Sequence, residues 1–527
     1  MNKIGFRNFR RFKDFPALEY GGITFLVGRN NAGKSTLVKA LLLLDHYFKS
    51  GDIHQLSFGN SILEDANIVT YGRALNNDAK AADENFIYFE QQIEDYVVLL
   101  TVSGQEEQSF ATVHQLVIVD TINRIEFHFD MVNSHVTITK GNVVEANSAL
   151  EQLLEATSLQ IAEINSQLEA LKANKTSKEY IDLLTKREGL ERKLEELQKD
   201  SAGSQQEQLF SIEEHFGNAH SLTEIVDGLL VRAMGQYKRE FTAVQQGQEP
   251  SEQFEDLRAL KEFDPIFIES SFSHFMTLAA DFSIAYMGAN PAKQSALFAI
   301  RDSSNALSQA IHDYKQLNIQ PTDEEHRFVM DWMKAFEVGD DFSITMHAGE
   351  AYEVKVHSGN YWVYLADKGM GSIQAMLLIV RLACVIRRVK NAETASTLTR
   401  IENGEVVRHD SSQYRLVDKT TVIIEEPELN LHPGLQSKLA DLFFAVHDAF
   451  GIDFLIETHS EYAIRKSQVI VAEQDLEVEP NENPFNVYYF DKDGYPYRMP
   501  YREDGRFTES FGSGFFDVSA NLTFDLP

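Results

Sequence analysis

Hydrophobic positions along this chain fall into three textures. Short continuous apolar runs occur at Ile23-Thr24-Phe25-Leu26-Val27, Thr421-Val422-Ile423-Ile424 and Phe454-Leu455-Ile456. Their length and β-branched content suit strands buried on both faces. Alternating segments, Asn85-Phe86-Ile87-Tyr88-Phe89, 96–102 and 124–129, predict antiparallel strands with one wet face. Strands return at 342–346, 352–356 and 362–365. The third texture runs from 148 to 201, where Glu, Lys, Gln and Leu dominate. Leu150, Leu154, Ile161, Ile164, Leu168 and Leu171 keep a three-four spacing, and Leu183, Leu190, Leu194 and Leu197 resume it after a polar turn at 173–177. This predicts an antiparallel coiled-coil hairpin rather than two helices packed on the body. Residues 205–335 read as helical, with apolar residues at packing spacing and no catalytic pattern. The predicted fold class is therefore α/β: a mixed β-sheet with flanking helices, an N-terminal lobe (1–145), the hairpin (146–201), a helical insertion (202–335) and a C-terminal lobe (336–527).

Bulk properties narrow the class. The chain has 527 residues, enough for two or three domains. No apolar run approaches the ~20 residues of a membrane helix, and Met1-Asn2-Lys3-Ile4-Gly5 does not read as a signal peptide. The single cysteine, Cys384, excludes an internal disulfide. A cytoplasmic protein without a membrane partner is expected. The formal net charge of -32 excludes a broad basic face for duplex DNA. Two local clusters remain: Lys3, Arg7, Arg10, Arg11 and Lys13, then Arg381, Arg387, Arg388 and Lys390. A solvated face is the plainer reading of each.

Candidate chemistry begins at Gly28-Arg29-Asn30-Asn31-Ala32-Gly33-Lys34-Ser35, which fits G-x-x-x-x-G-K-[ST] between a strand and a helix starting near Thr36. Backbone N–H groups of such a loop surround phosphate oxygens, the lysine reaches the β- and γ-phosphates, and the hydroxyl of Ser35 ligates magnesium. ATP and Mg2+ are the expected cofactors. The buried-type strand 421–424 ends in Glu425-Glu426-Pro427-Glu428. Its first carboxylate, Glu425, takes the metal side, although aspartate is usual there, and Glu426 the general-base role. The turn Asp367-Lys368-Gly369-Met370-Gly371-Ser372-Ile373-Gln374 opens a helix, with Gly369, Gly371, Ser372 and Gln374 as anion-binding candidates. The strand at 454–457 ends at Thr458-His459-Ser460, where His459 could face the γ-phosphate or the attacking water.

With these motifs in this order, the chain resembles the ABC-type ATPases of the SMC, Rad50 and RecF group. More narrowly it is similar to stand-alone ATPases akin to the OLD proteins. The resemblance rests on IGFRNFRRFKDF with the P-loop, DKGMGSIQ, VIIEEPELNLHPGLQSKLADLF and FLIETHSEYAIRK, with a further likeness at 514–518. It covers about the first 50 and last 190 residues. It implies an ABC head in which two copies meet head to tail around two ATPs. The 369–372 turn of one copy would touch the phosphate held by Lys34 of the other. A glutamine equivalent to the family's inter-lobe loop is not evident; Gln91 and Gln92 are the candidates. The 68 residues after His459 (527 minus 459) are too few for the nuclease domain of OLD-like enzymes. Asp491, Asp493 and Glu503 accordingly read as surface turns. The expected role is the ATPase subunit of a bacterial anti-phage system of Septu, retron-associated or PARIS type. Its partners would be a second copy and a separately encoded HNH-type or Toprim-type nuclease or a toxin, with DNA or a retron RNA–DNA hybrid in the complex as an open question. The alternative is a DNA-repair or DNA-end-binding ATPase of RecF or Rad50 type. A transporter's ATPase subunit fits poorly.

Overall fold

A computed structural model gives the architecture. It describes residues 2–59; 68–141 apart from 83; 209–395 apart from 218, 220, 282–283, 290–292, 294 and 303; 399–402 and 405–408; and 420–512 apart from 477, 479–481 and 492–494. The coiled-coil reading of 146–201 and the 514–518 likeness lie outside these residues.

The chain opens with the hairpin β1 (Asn2–Phe9) and β2 (Phe12–Tyr20), the strand β3 (Ile23–Gly28) and the helix α1 (Lys34–Ser50). Next come β4 (Gln55–Ser57), β5 (Ile87–Ile93), β6 (Tyr96–Ser103), β7 (Phe110–Asp120), β8 (Ile125–Asp130) and β9 (His135–Lys140). After β10 (Phe210–His215) follow α2 (Leu222–Gln245), α3 (Phe254–Phe263) and α4 (Pro265–Asp281). Then come β11 (Ile284–Met287), β12 (Phe298–Ala299), α5 (Ala306–Gln316) and α6 (Glu324–Ala335). The second half holds β13 (Asp341–His347), β14 (Ala351–Ser358), β15 (Tyr361–Tyr364) and the long helix α7 (Met370–Ala395). It closes with β16 (Thr421–Glu425), α8 (Pro433–Phe450), β17 (Asp453–Glu457), α9 (Glu461–Glu473), β18 (Phe485–Phe490) and β19 (Tyr497–Arg498).

Among the described residues four sheets result, the smallest an antiparallel pair of Thr399–Glu402 and Glu405–Arg408. An antiparallel sheet runs β10-β9-β8-β7-β6-β5-β1-β2, with β4 on β7. A second sheet runs β11-β16-β17-β3-β18-β19, parallel except at its last pair. The third holds β12, β14, β13 and β15. The parallel sheet explains the continuous apolar runs. Successive side chains on a strand alternate faces: Leu26 enters the core beside α1, whereas Ile23, Phe25 and Val27 enter the core beneath α7. Tyr488 and Phe490 divide in the same way from Phe485, Val487 and Tyr489. A strand filling two cores has no polar face, so periodicity cannot betray it.

The 205–335 stretch differs from the helical expectation. Besides α2 to α6 it supplies three short strands, β10 at the edge of the antiparallel sheet, β11 at the edge of the parallel sheet, and β12 in the third sheet. Strands of two to six residues leave too brief a period to read. The α7 segment Met370–Asn391 is apolar and long enough to cross a membrane, yet 72% of its most apolar window is buried inside the protein. It is a packed core helix.

The second basic cluster ties α7 down. Arg387 meets Asp323 at 3.1 Å and Glu325 at 3.5 Å, Arg388 meets Asp313 at 2.7 Å, and Lys390 pairs with Glu324 and, at 3.3 Å, with Glu325. In the first cluster Lys3 meets Glu19 at 3.1 Å, Lys13 meets Glu84 at 3.5 Å, and Arg7 lies 4.1 Å over the Tyr88 ring. Most of this positive charge is answered within the chain.

Candidate active site

The strand order β16-β17-β3 places Glu425, Glu457 and Gly28 at the carboxyl ends of neighbouring parallel strands, where α/β sheets open their ligand crevice. The loop after β3 turns through Asn31 (φ 60) and Gly33 (φ 105) into α1. A Cβ at Gly33 would stand 2.3 Å from the Phe12 ring, so the β1–β2 hairpin holds the loop against side chains there. Arg11, beside that ring, donates to the carbonyl of Asn31.

Lys34 and Ser35 face inward. The Lys34 ammonium donates to the carbonyls of Gly28 (3.2 Å) and Arg29 (3.1 Å), and lies 3.7 Å from Glu457 Oε1. The Ser35 hydroxyl donates to Glu457 Oε2 at 2.8 Å. Burial pushes the Glu457 carboxyl up to about 7, against the pull of Lys34 and Ser35 and with the push of Glu425 and Glu426. Burial likewise lowers Lys34. Thus the pair leans towards its neutral forms, as expected of buried partners.

A cavity of about 600 Å³ opens over this loop. Its lining brings Asn31, Ala32, Gly33, Lys34, Ser35 and Thr36 together with Arg10, Arg11, Lys39 and Arg73, and among the described residues Glu457 is its one carboxylate. Lys39 is pushed down to about 8 by burial and by Arg10, and Arg10 is lowered by burial and by Arg73. Crowded cations of this kind fit a polyphosphate, whose charge relieves their repulsion. Reading Arg10 and Arg11 as part of a solvated basic cluster did not anticipate their place in the cavity lining. The β1–β2 turn carries them beside residues some twenty positions later, which local sequence does not announce.

The carboxylates behind the cavity are held individually. Glu425 Oε2 accepts from the Tyr286 hydroxyl of β11 at 3.1 Å, while its Oε1 is buried without a hydrogen-bond partner. Burial raises its pKa. Glu426 adopts a left-handed backbone (φ 48), its N–H bonded to the Glu457 carbonyl at 2.7 Å. A non-glycine residue in that region carries strain of a kind that gathers at functional sites. Glu428, raised by burial, accepts from the Thr458 hydroxyl (2.7 Å) and from the His459 N–H (2.6 Å). One side chain thus pins the turn after β17 to the turn after β16. The His459 side chain is open to solvent on one side; protein mass on the other, with the Lys34 charge, pushes it down to about 4. It is neutral at pH 7, with a ring nitrogen able to accept a proton or a hydrogen bond.

The residues present fit magnesium. A loop hydroxyl already bonded to a carboxylate, and a second carboxylate with an unanswered buried oxygen, are hard oxygen donors of the required type. Ser35, Glu425 and Glu457 would hold it. The ion would neutralise phosphate charge.

The remaining candidates lie elsewhere. Helix α7 begins at Met370, earlier than the apolar run suggests, so Gly371, Ser372 and Gln374 sit in its first turns and Gly369 just ahead. Gly369 accepts from the N–H groups of Ser372 (2.9 Å) and Ile373 (3.3 Å). Gln374 is buried. A Cβ on Gly371 would stand 2.6 Å from the Asn430 carbonyl, which seats this turn on the segment after β16. None of Gly369, Gly371, Ser372 and Gln374 lines the P-loop cavity. Gln91 and Gln92 do not reach it either: they sit on β5, with Gln91 Nε2 3.4 Å from the Tyr20 hydroxyl and Gln92 bonded to the Glu94 carbonyl. Sequence reading missed Glu457, Glu428, Lys39, Arg73 and Tyr286. A signal existed for Glu457, a carboxylate closing an apolar strand two residues before His459.

The chain belongs to the AAA ATPase domain family, whose pattern matches residues 1–422. It is an ATPase. No curated protein matches it. Among solved structures it is similar to the SMC head bound to the C-terminal winged-helix domain of ScpA (8% identity, 96% of this chain and 95% of that one, TM-score 0.34). Two others are the SMC head domain from Thermotoga maritima (8% identity, 95% and 98%, TM-score 0.30) and the recombination mediator RecF with an ATP analogue (12% identity, 94% and 97%, TM-score 0.24).

Proposed function

We propose that the chain binds MgATP over Lys34 and Ser35 and closes head to tail on a second copy. The partner's 369–372 turn would complete the pocket. Lys34 would leave its two carbonyls for the phosphates, Glu426 would take the proton of the attacking water, and neutral His459 would meet the γ-phosphate. The observation carrying this reading is that Gly369, Gly371, Ser372 and Gln374 lie at the start of a helix outside the cavity that Lys34 lines. A second copy would bring the two together. Turnover would be slow, because among the described residues no glutamine lines the cavity and Glu425 stands where aspartate is usual. Light scattering of the Glu426→Gln protein with ATP tests this: an ATP-dependent dimer is expected, and a monomer at saturating ATP removes the sandwich.

The closure would regulate a separately encoded nuclease or toxin in anti-phage defence. Support comes from the OLD-like motif set and from the acidic charge, which suits protein partners. The competing reading, a DNA-repair or end-binding ATPase, draws on the motifs shared with RecF and Rad50. The pairing of the basic clusters with carboxylates and with the cavity weighs against it. Filter binding across salt separates the two: ATP-dependent duplex binding with a steep salt slope favours repair, and no binding near physiological salt favours defence.

A further inference from the structure

We propose that Glu457, the last residue of β17, is the protein carboxylate that ligates magnesium together with Ser35, and that Glu425 stands behind it. The inference rests on reading the cavity as the MgATP site.

Position is the first argument. In the order β16-β17-β3, Glu457 lies on the strand next to the P-loop strand, whereas Glu425 lies one strand further out at the same level, since Glu425 and Glu457 are register partners. Strands are spaced about 4.8 Å apart, so the outer carboxylate starts that much further from the loop. Glu457 lines the cavity and Glu425 does not.

Spacing is the second. Magnesium takes near-octahedral oxygen ligands at about 2.0–2.1 Å, which places neighbouring ligand oxygens about 2.9 Å apart. Ser35 Oγ and Glu457 Oε2 are 2.8 Å apart. The cation can seat against both once the hydroxyl proton turns away, with little movement of either oxygen. Glu425, by contrast, has one oxygen engaged by Tyr286 and the other buried without a partner. That suits a carboxylate holding a metal-bound water.

The site also has a reason to change partners. Lys34 is 3.7 Å from Glu457 and is needed by the phosphates. When it moves to them, Glu457 loses its counter-charge, and a divalent cation restores one.

The test uses the full chain saturated with ATP and Mn2+ as the probe, followed by electron paramagnetic resonance, with metal-free ATP affinity measured separately in EDTA. For Glu457→Gln the expected result is Mn2+ binding weakened at least about 10-fold, in the range seen when groups around a metal are removed. Metal-free ATP should bind as tightly or more so, because a carboxylate has left the phosphates' neighbourhood. Glu425→Gln should weaken Mn2+ less. Glu457→Cys should lose Mn2+ and gain Cd2+, a softer ion that thiolate prefers, an effect no packing role produces. Unchanged Mn2+ affinity in Glu457→Gln, a larger loss in Glu425→Gln, or no Cd2+ preference in Glu457→Cys would overturn the assignment. A wild-type chain that binds no ATP would instead overturn the site reading, and this inference with it.

Discussion

The P-loop cavity and the 369–372 turn are both helix starts able to receive an anion, but the chain treats them differently. At the first, Lys34 and Ser35 already have partners of their own: Lys34 has two carbonyls and Glu457, and Ser35 has Glu457. At the second, the turn is braced from beneath by the segment after β16, yet lines no part of that cavity. A site stocked with internal substitutes for its ligand can wait closed. A turn braced from beneath and set apart from the cavity fits completion by a second copy. The difference teaches that motif presence and motif contact are separate facts.

The comparison can be broken from either side. Lys34→Ala should have the largest effect: two or more charge-assisted contacts to phosphate, each worth about 1.5–3 kcal/mol, would be lost, so calorimetry should show ATP affinity down by two orders of magnitude or more. Glu426→Gln should lower turnover by about 10²–10⁴-fold, the usual range for a lost general base, while ATP still binds. A variant that turns over normally would remove Glu426 from that role. Gly371→Val sharpens the contrast, because its side chain would meet the Asn430 carbonyl. Single-chain ATP affinity should stay within about twofold, and ATP-driven pairing on a sizing column should disappear. Equal loss of both would mean that the two regions are one site within a chain.

The smallest effect concerns acid. The folded pKa of His459 lies near 4, below its ordinary 6.5. Between those values the unfolded chain holds the extra proton, so this group's contribution to stability is full above about 6.5 and declines as pH falls towards 4. Partial exposure keeps the contribution small. Histidine-labelled NMR should find the ring neutral at pH 5.5, and His459→Ala should flatten the acid side of the melting-temperature profile slightly.

Where one stretch of chain carries its own meaning, the sequence was readable. The P-loop, the strand into Glu425-Glu426 and the Thr458-His459 turn are each contiguous, and the fold brings their strands side by side in one parallel sheet. Roles made by distant approach were not readable. Arg10 and Arg11 read as surface charge because the fold, not their neighbours in sequence, sets them over Lys34. Tyr286 lay on a strand of four residues inside a helical stretch, and only pairing with β16 reveals it. Glu457 was visible as a carboxylate but had no assigned partner until β17 was placed next to β3.

That placement has a cost in time. Strand β3 is flanked on one side by residues 453–457 and on the other by residues 485–490. A nascent chain emerging from the ribosome therefore carries its glycine-rich loop for more than four hundred residues of synthesis before either neighbouring strand exists. Pairings so remote in sequence are slow to form. The P-loop strand therefore gains its two neighbours only after residues 485–490 have been made, and a fragment lacking β18 is expected to show weakened ATP binding in calorimetry, however intact its P-loop.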